Sequence, residues 1–146
     1  MPYTEAKQNS VLIVSGSERS RATLAEVFSS SRYSPVTTRG SAAEVRRQVL
    51  DAPHALVFIN TPLPDETGVQ LALDLSSSRN CCVALIVPGD TYDQVNEQVE
   101  DAGVLTLARP CTAQQLRQAA AMMGATRTKL ADMEKKTATL EEKMEE

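Results

Sequence analysis

At 146 residues the chain is long enough for one domain with a buried core. Its net charge of −4 and sequence pI of about 5.1 argue against a strong nucleic-acid or membrane-surface binder, because those roles need clustered Lys and Arg. With no Trp and two Phe the chain offers no stacking platform for bases, and its three cysteines, two of them the neighbours Cys81 and Cys82, suggest no disulfide framework.

No apolar run approaches the roughly 20 residues that cross a bilayer. The polar start MPYTEAKQNS carries no signal-peptide core. A cytoplasmic protein is expected, with residues 1–10 as a flexible N-terminus.

The first predicted element is the strand Val11–Val14. Ser17 is a plausible N-cap for a helix that places Leu24, Val27 and Phe28 on one face. A weaker second strand is expected over Tyr33–Thr37. Its Pro35 cannot donate to a ladder, which puts it at a sheet edge. Ser41 and Glu44 have capping-box spacing and open a helix with Val45 and Val49 on one face. The third strand, Ala55–Ile59, runs into NTPLPDETG, a Pro- and acid-rich turn. A fourth follows at Val83–Val87. Thr91 and Gln94 again have capping-box spacing, before a helix with Tyr92, Val95 and Val99 on one face. Val104–Ala108 is the fifth strand, and Thr112 with Gln115 marks the start of the last helix.

The four strong runs do not alternate apolar with polar residues, as expected of strands covered on both faces of a parallel sheet. Strand and helix alternating five times predict a five-stranded, doubly wound parallel α/β sheet of order 2-1-3-4-5. In such a sheet the site lies outside the carboxyl ends of the strands, where the winding reverses. Those ends are Ser15, Gly16 and Glu18, then Asn60, Pro88 to Asp90, and Arg109 to Cys111.

These residues are poor material for an enzyme. The single histidine, His54, precedes the third strand at the end opposite the site, so no Cys or Ser there has a base. Cys111 at the site edge is read as packing. No metal-ligand spacing occurs, and neither a metal nor a cofactor is expected.

With VLIVSGSERSR, LVFINTPLPDETG and GVLTLARP in this order, residues 11–123 resemble the receiver domain of bacterial response regulators. The resemblance implies a phosphorylation site, but almost every reactive group is replaced. The Mg²⁺-binding acidic pair falls on Ser15 and Gly16, the phosphoaccepting aspartate on Asn60, the hydroxyl residue on Pro88 and the lysine on Arg109. The aromatic that reports phosphorylation falls on Thr106. An acyl phosphate needs a carboxylate nucleophile, and Mg²⁺ usually keeps one or two carboxylate ligands. The expectation is a receiver that cannot be phosphorylated. Asn60 then either satisfies nearby backbone groups or joins Ser15 in a ligand pocket where Arg109 holds an anion near the first helix. Glu18 and Asp65 are alternative ionic partners for Arg109.

The last helix is expected to extend to Glu146, interrupted only by Gly124. Met123, Thr126, Leu130, Met133, Thr137, Leu140 and Met144 alternate by three and four residues, an a/d seam of about three heptads, and residues 124–146 are read as a coiled-coil linker. Lys129 and Lys136 then occupy g positions, and Glu134 and Glu141 occupy e positions. A parallel pair sets Lys129 against Glu134 and Lys136 against Glu141. An antiparallel pair sets like charges together. A parallel homodimer is expected, with Leu130, Met133, Thr137, Leu140 and Met144 at its interface. LADMEKKTATLEEKMEE also resembles the coiled lead-in to the ANTAR domain of transcription antitermination regulators. That resemblance implies an RNA-binding output missing from this chain, with RNA bound only through it. A coil of this kind also precedes histidine-kinase and cyclic-dinucleotide cyclase outputs. The upstream signalling partner stays unidentified.

Overall fold

The computed structural model describes residues 10–28, 33, 35–49, 55–77 and 81–126. The tail seam from Leu130 to Met144, and His54, lie outside the described residues.

Five strands form one parallel sheet: β1 (Val11–Ser15), β2 (Val36–Arg39), β3 (Leu56–Asn60), β4 (Cys82–Pro88) and β5 (Leu105–Arg109). Their order is β2-β1-β3-β4-β5, so the winding reverses between β1 and β3. Between them run α1 (Glu18–Val27), α2 (Ala42–Val49), α3 (Val69–Ser76) and α4 (Tyr92–Val99), followed by α5 over residues 113–126.

The continuous apolar runs are explained by cover on both faces. Val11, Ile13, Phe58 and Ile86 pack with Leu24, Phe28, Leu116, Ala120 and Met123 beneath α1 and α5. Their neighbours Leu12, Val14, Val57, Ile59 and Leu85 face the other way, onto Val45, Leu71, Leu75 and Val99. Successive strand residues point to opposite faces, so each needs its own apolar partner layer. Phe28 anchors the first of these layers at the amino end of the sheet, with ring centroids 5.4 Å from Tyr33 and 4.9 Å from Phe58. Ser10 is buried at the same end, where its hydroxyl accepts from Ala55 N at 2.8 Å.

The second strand differs from the expected Tyr33–Thr37. It begins only after Pro35 and spans Val36–Arg39 at the sheet edge. Pro35 contributes what it can, a carbonyl that accepts from Val11 N at 3.0 Å. The helix starts also sort by geometry. Thr112 and Gln115 close a reciprocal capping box at 2.9 and 3.1 Å. Ser17 accepts from Ser20 N at 3.2 Å and caps α1. Ser41 accepts from Glu44 N at 3.3 Å, while the Glu44 carboxylate reaches back one residue further, to Gly40 N at 2.7 Å. Thr91 makes no such cap. It lies in a 3₁₀ turn and its hydroxyl donates to the Pro88 carbonyl at 3.0 Å.

α5 continues through Gly124 to residue 126. Met123, the first member of the expected seam, is buried against the sheet. Thr126 is exposed and its hydroxyl donates to Met122 O at 2.9 Å.

Candidate functional site: a closed network at the carboxyl edge

The register of the sheet sets Ser15 opposite Asn60, Asn60 opposite Ile86, and Pro88 opposite Arg109. Three of the residues singled out in the sequence are thereby joined. Arg109 Nη1 donates to Asn60 Oδ1 at 2.7 Å and to the Thr61 carbonyl at 2.5 Å. Asn60 Nδ2 donates to Ser15 Oγ at 3.3 Å, and that oxygen also accepts from Ser17 N at 3.4 Å. Arg21 Nη1 donates to the Ser15 carbonyl at 2.7 Å. The side-chain polar atoms of Ser15 and Asn60 thus each have a partner from the chain itself.

Gly16 sits under a proline. A Cβ at Gly16 would lie 2.9 Å from Pro64 Cδ, so the turn after β3 occupies the space any side chain there would need. The turn is itself held by backbone: Leu63 N donates to Glu66 O at 2.9 Å, and Gly68 supplies a left-handed residue, φ 102°, at the start of α3. A Cβ at Gly68 would also crowd Thr61 Cγ2 at 3.0 Å.

The two acids of PLPDE are both committed to structure. Asp65 accepts from Ala42 N and Ala43 N, each at 3.0 Å, and so caps α2 from 22 to 23 residues away. Those two backbone donors, Ala42 first, hold its carboxyl below the usual range. Glu66 accepts from Leu71 N at 3.1 Å and pairs with Arg46 at 3.3 Å. The expected pairing of Arg109 with Glu18 or Asp65 is not formed. Asp65 is turned to α2, and Arg109 is drawn instead to the amide and carbonyl at the end of β3.

Pro88 stands beside Arg109 without a side-chain donor. Thr106 lies three residues before Arg109 and hence on the opposite face of β5. It is buried, and its hydroxyl has no hydrogen-bond partner among the described residues. Thr106 is therefore separate from the Asn60 network. Cys111 borders the site; its thiol donates to Ala108 O at 3.0 Å, and burial pushes its pKa up despite the opposing pull of Arg109. It is no activated nucleophile.

The donor set does not fit Mg²⁺. That ion usually takes one or two carboxylates, whereas the edge presents a hydroxyl, an amide oxygen and a guanidinium. A cation already occupies the mouth of the site as Arg109. Among the described residues no three His, Cys, Asp or Glu side chains converge. Beside this network a cleft of about 290 Å³ opens between α1 and the start of α5, lined by Arg19, Thr23, Leu24, Asn60, Arg109 and Leu116, among others.

Comparison with known proteins identifies the fold. No protein-family model matches the chain, and no curated relative matches it in sequence. Solved receiver structures match closely in shape. The signal receiver domain of an HD domain-containing protein from Pseudomonas fluorescens Pf-5 is 16% identical with a TM-score of 0.75, covering 90% of this chain and 98% of that one. A two-component response regulator from Clostridium difficile is 17% identical with a TM-score of 0.68, covering 79% and 94%. The structure of adenylate cyclase from Rhodopirellula baltica is 18% identical with a TM-score of 0.77, covering 90% and 97%. The fold is that of the response-regulator receiver domains. Among the described residues no helix is long and apolar enough to cross a membrane.

Proposed function

We propose that this chain is a cytoplasmic signal-transduction receiver module that has lost phosphotransfer and works through protein interaction and dimerisation. The observation that carries this reading is the Arg109–Asn60–Ser15 network, with distances of 2.7 and 3.3 Å. In a phosphorylatable receiver the residue at position 60 attacks a phosphoryl donor. Here it is an amide whose oxygen is held by a guanidinium, and no lone pair of a carboxylate is available for attack. The message is then one of shape and association.

The output is proposed to be an ANTAR-type RNA-binding antitermination domain following the coil of residues 124–146, from the resemblance of that segment. The three-and-four spacing of Leu130, Met133, Thr137, Leu140 and Met144 supports a dimerising role. Leu105 and Met122, 37% and 63% exposed, are the large exposed hydrophobics among the described residues. Both border one concavity of about 390 Å³ between β5 and α5. A second copy paired through the coil would extend along that surface.

A second reading is favoured by the cleft beside Asn60, whose mixed apolar and basic lining suits a small anionic effector. A cyclase or kinase output in place of the ANTAR domain is a variant of the first reading. The likeness to the adenylate cyclase structure supports it.

The phosphotransfer claim is tested by titrating the chain with beryllofluoride and Mg²⁺ while recording amide NMR spectra. No saturable shift at Ser15, Asn60 or Arg109 is expected. A saturable shift centred on Asn60 would overturn the reading.

A further inference from the structure

A second site lies at the β2 edge, away from Asn60. A concavity of about 600 Å³ between α1, β2 and α2 is lined by Arg21, Thr38, Arg39, Gly40, Glu44 and Arg47. In a chain of net charge −4, three arginines against one glutamate line this surface, and no apolar side chain does. Among the described residues none of the three arginines is in an ion pair within 4 Å, and Glu44 offsets only one of the three charges. Among the described residues, the ion pairs within 4 Å belong to Arg46, which binds Glu66 and Asp74 at 3.3 and 2.6 Å. Its neighbour Arg47 has no such partner.

Two of the guanidinium groups are also pre-positioned. Arg21 Nη1 is pinned by the Ser15 carbonyl at 2.7 Å, and Arg39 Nη1 by the Thr38 carbonyl at 2.6 Å. Each uses one of its five N–H donors this way and keeps the others for the concavity. The Glu44 carboxylate is engaged with Gly40 N at 2.7 Å. Gly40 also lets Arg21 approach, since a Cβ there would lie 3.1 Å from Arg21 Nη1. Guanidinium groups free of ion pairs, two of them held in place, around a hollow lined by polar and charged residues are the arrangement that holds phosphate oxygens bidentately at low ordering cost.

We infer that this concavity binds a small oligophosphate. The absence of apolar residues from the lining disfavours a protein segment, which needs a desolvated core of contacts. Three arginines on an acidic protein do not make the extended basic track that a nucleic-acid backbone requires. A compact polyanion matches both the size of the hollow and its excess of positive charge. Arg21 ties the site to the carboxyl end of β1, so occupation would reach Ser15 through the residue that holds its carbonyl.

The test is isothermal titration of the full chain with sodium tripolyphosphate, alongside amide NMR. Saturable binding is expected, with shifts at Thr38, Arg39 and Gly40, and weakening as salt is added. The Arg39→Gln/Arg47→Gln variant should bind at least about tenfold more weakly, whereas Arg117→Gln, exposed on α5 and outside the concavity, should bind as the parent does. Both variants should keep the parent's circular dichroism spectrum. If the double variant loses its fold, each single variant is titrated and is expected to weaken binding by itself. Absence of saturable binding, equal binding by the variants that lack Arg39 or Arg47, or saturable binding of a short RNA duplex in place of tripolyphosphate would overturn the assignment.

Discussion

Arg109 reaches across β4 to hold Asn60: its Nη1 donates to Asn60 Oδ1 at 2.7 Å, although β5 and β3 are not neighbours in the sheet. Two strand spacings of roughly 4.8 Å separate them, a span that a long side chain can bridge. The same nitrogen donates to Thr61 O, which fixes the peptide after β3. The cation is thus part of the sheet edge rather than a free charge awaiting a ligand.

Arg109→Ala removes the charged donor from two partly buried acceptors. Stability should fall by about 1.5–3 kcal/mol, the usual range for hydrogen bonds to charged groups. Arg109→Lys should recover part of the loss. Urea unfolding measures both, and an unchanged midpoint for Arg109→Ala would show that the bridge contributes nothing.

Gly16 and Pro64 should be coupled. Gly16→Ala drives a Cβ to within 2.9 Å of Pro64 Cδ, and overpacking of this kind costs about 1–3 kcal/mol. In Pro64→Ala the ring is gone, so the same substitution at Gly16 should cost much less. A double-mutant cycle reads the coupling directly; strictly additive effects would show that the close approach carries no strain.

The sheet was legible because its pattern is local. Val11–Val14 and Val83–Val87 are apolar at every position, and each position finds its own partner layer. The reversal between β1 and β3 then followed from the weak edge strand, whose bounds shifted because ladder pairing starts only beyond Pro35. Thr112 and Gln115 formed their box, but the same spacing at Thr91 failed where a 3₁₀ turn took over the start of α4. Asn60 was read as satisfying nearby backbone groups, but its side chain bonds the side chains of Arg109 and Ser15 instead, and the ionic partners considered for Arg109 are not the ones it holds. What stayed hidden were contacts made by topology. Asp65 caps α2 across more than twenty residues, and Pro64 covers Gly16. No local spacing marks either one.

Acid should weaken the fold through Asp65 and Asp74. Both carboxyls are held below the ordinary range, Asp65 by the Ala42 and Ala43 amides and Asp74 first by Arg46. A depressed folded-state pKa gives stability that is present above the unfolded value of about 3.9 and is lost as pH falls through the folded value. The melting temperature should therefore drop below about pH 4, and Asp65→Asn should drop less over that window. A parallel decline in both proteins would remove Asp65 from the account.

The coil proposal predicts a dimer in solution. Light scattering should give twice the chain mass for the parent and a single chain for Leu130→Asp/Leu140→Asp. A monomeric parent would mean that the seam does not associate in this chain.

The central claim is that the carboxyl edge of this sheet accepts no phosphoryl group. Intact-mass spectrometry after incubation with acetyl phosphate and Mg²⁺ tests it most directly. An unchanged mass is expected; a gain of one phosphoryl group, mapped to the peptide that carries Asn60, would contradict it.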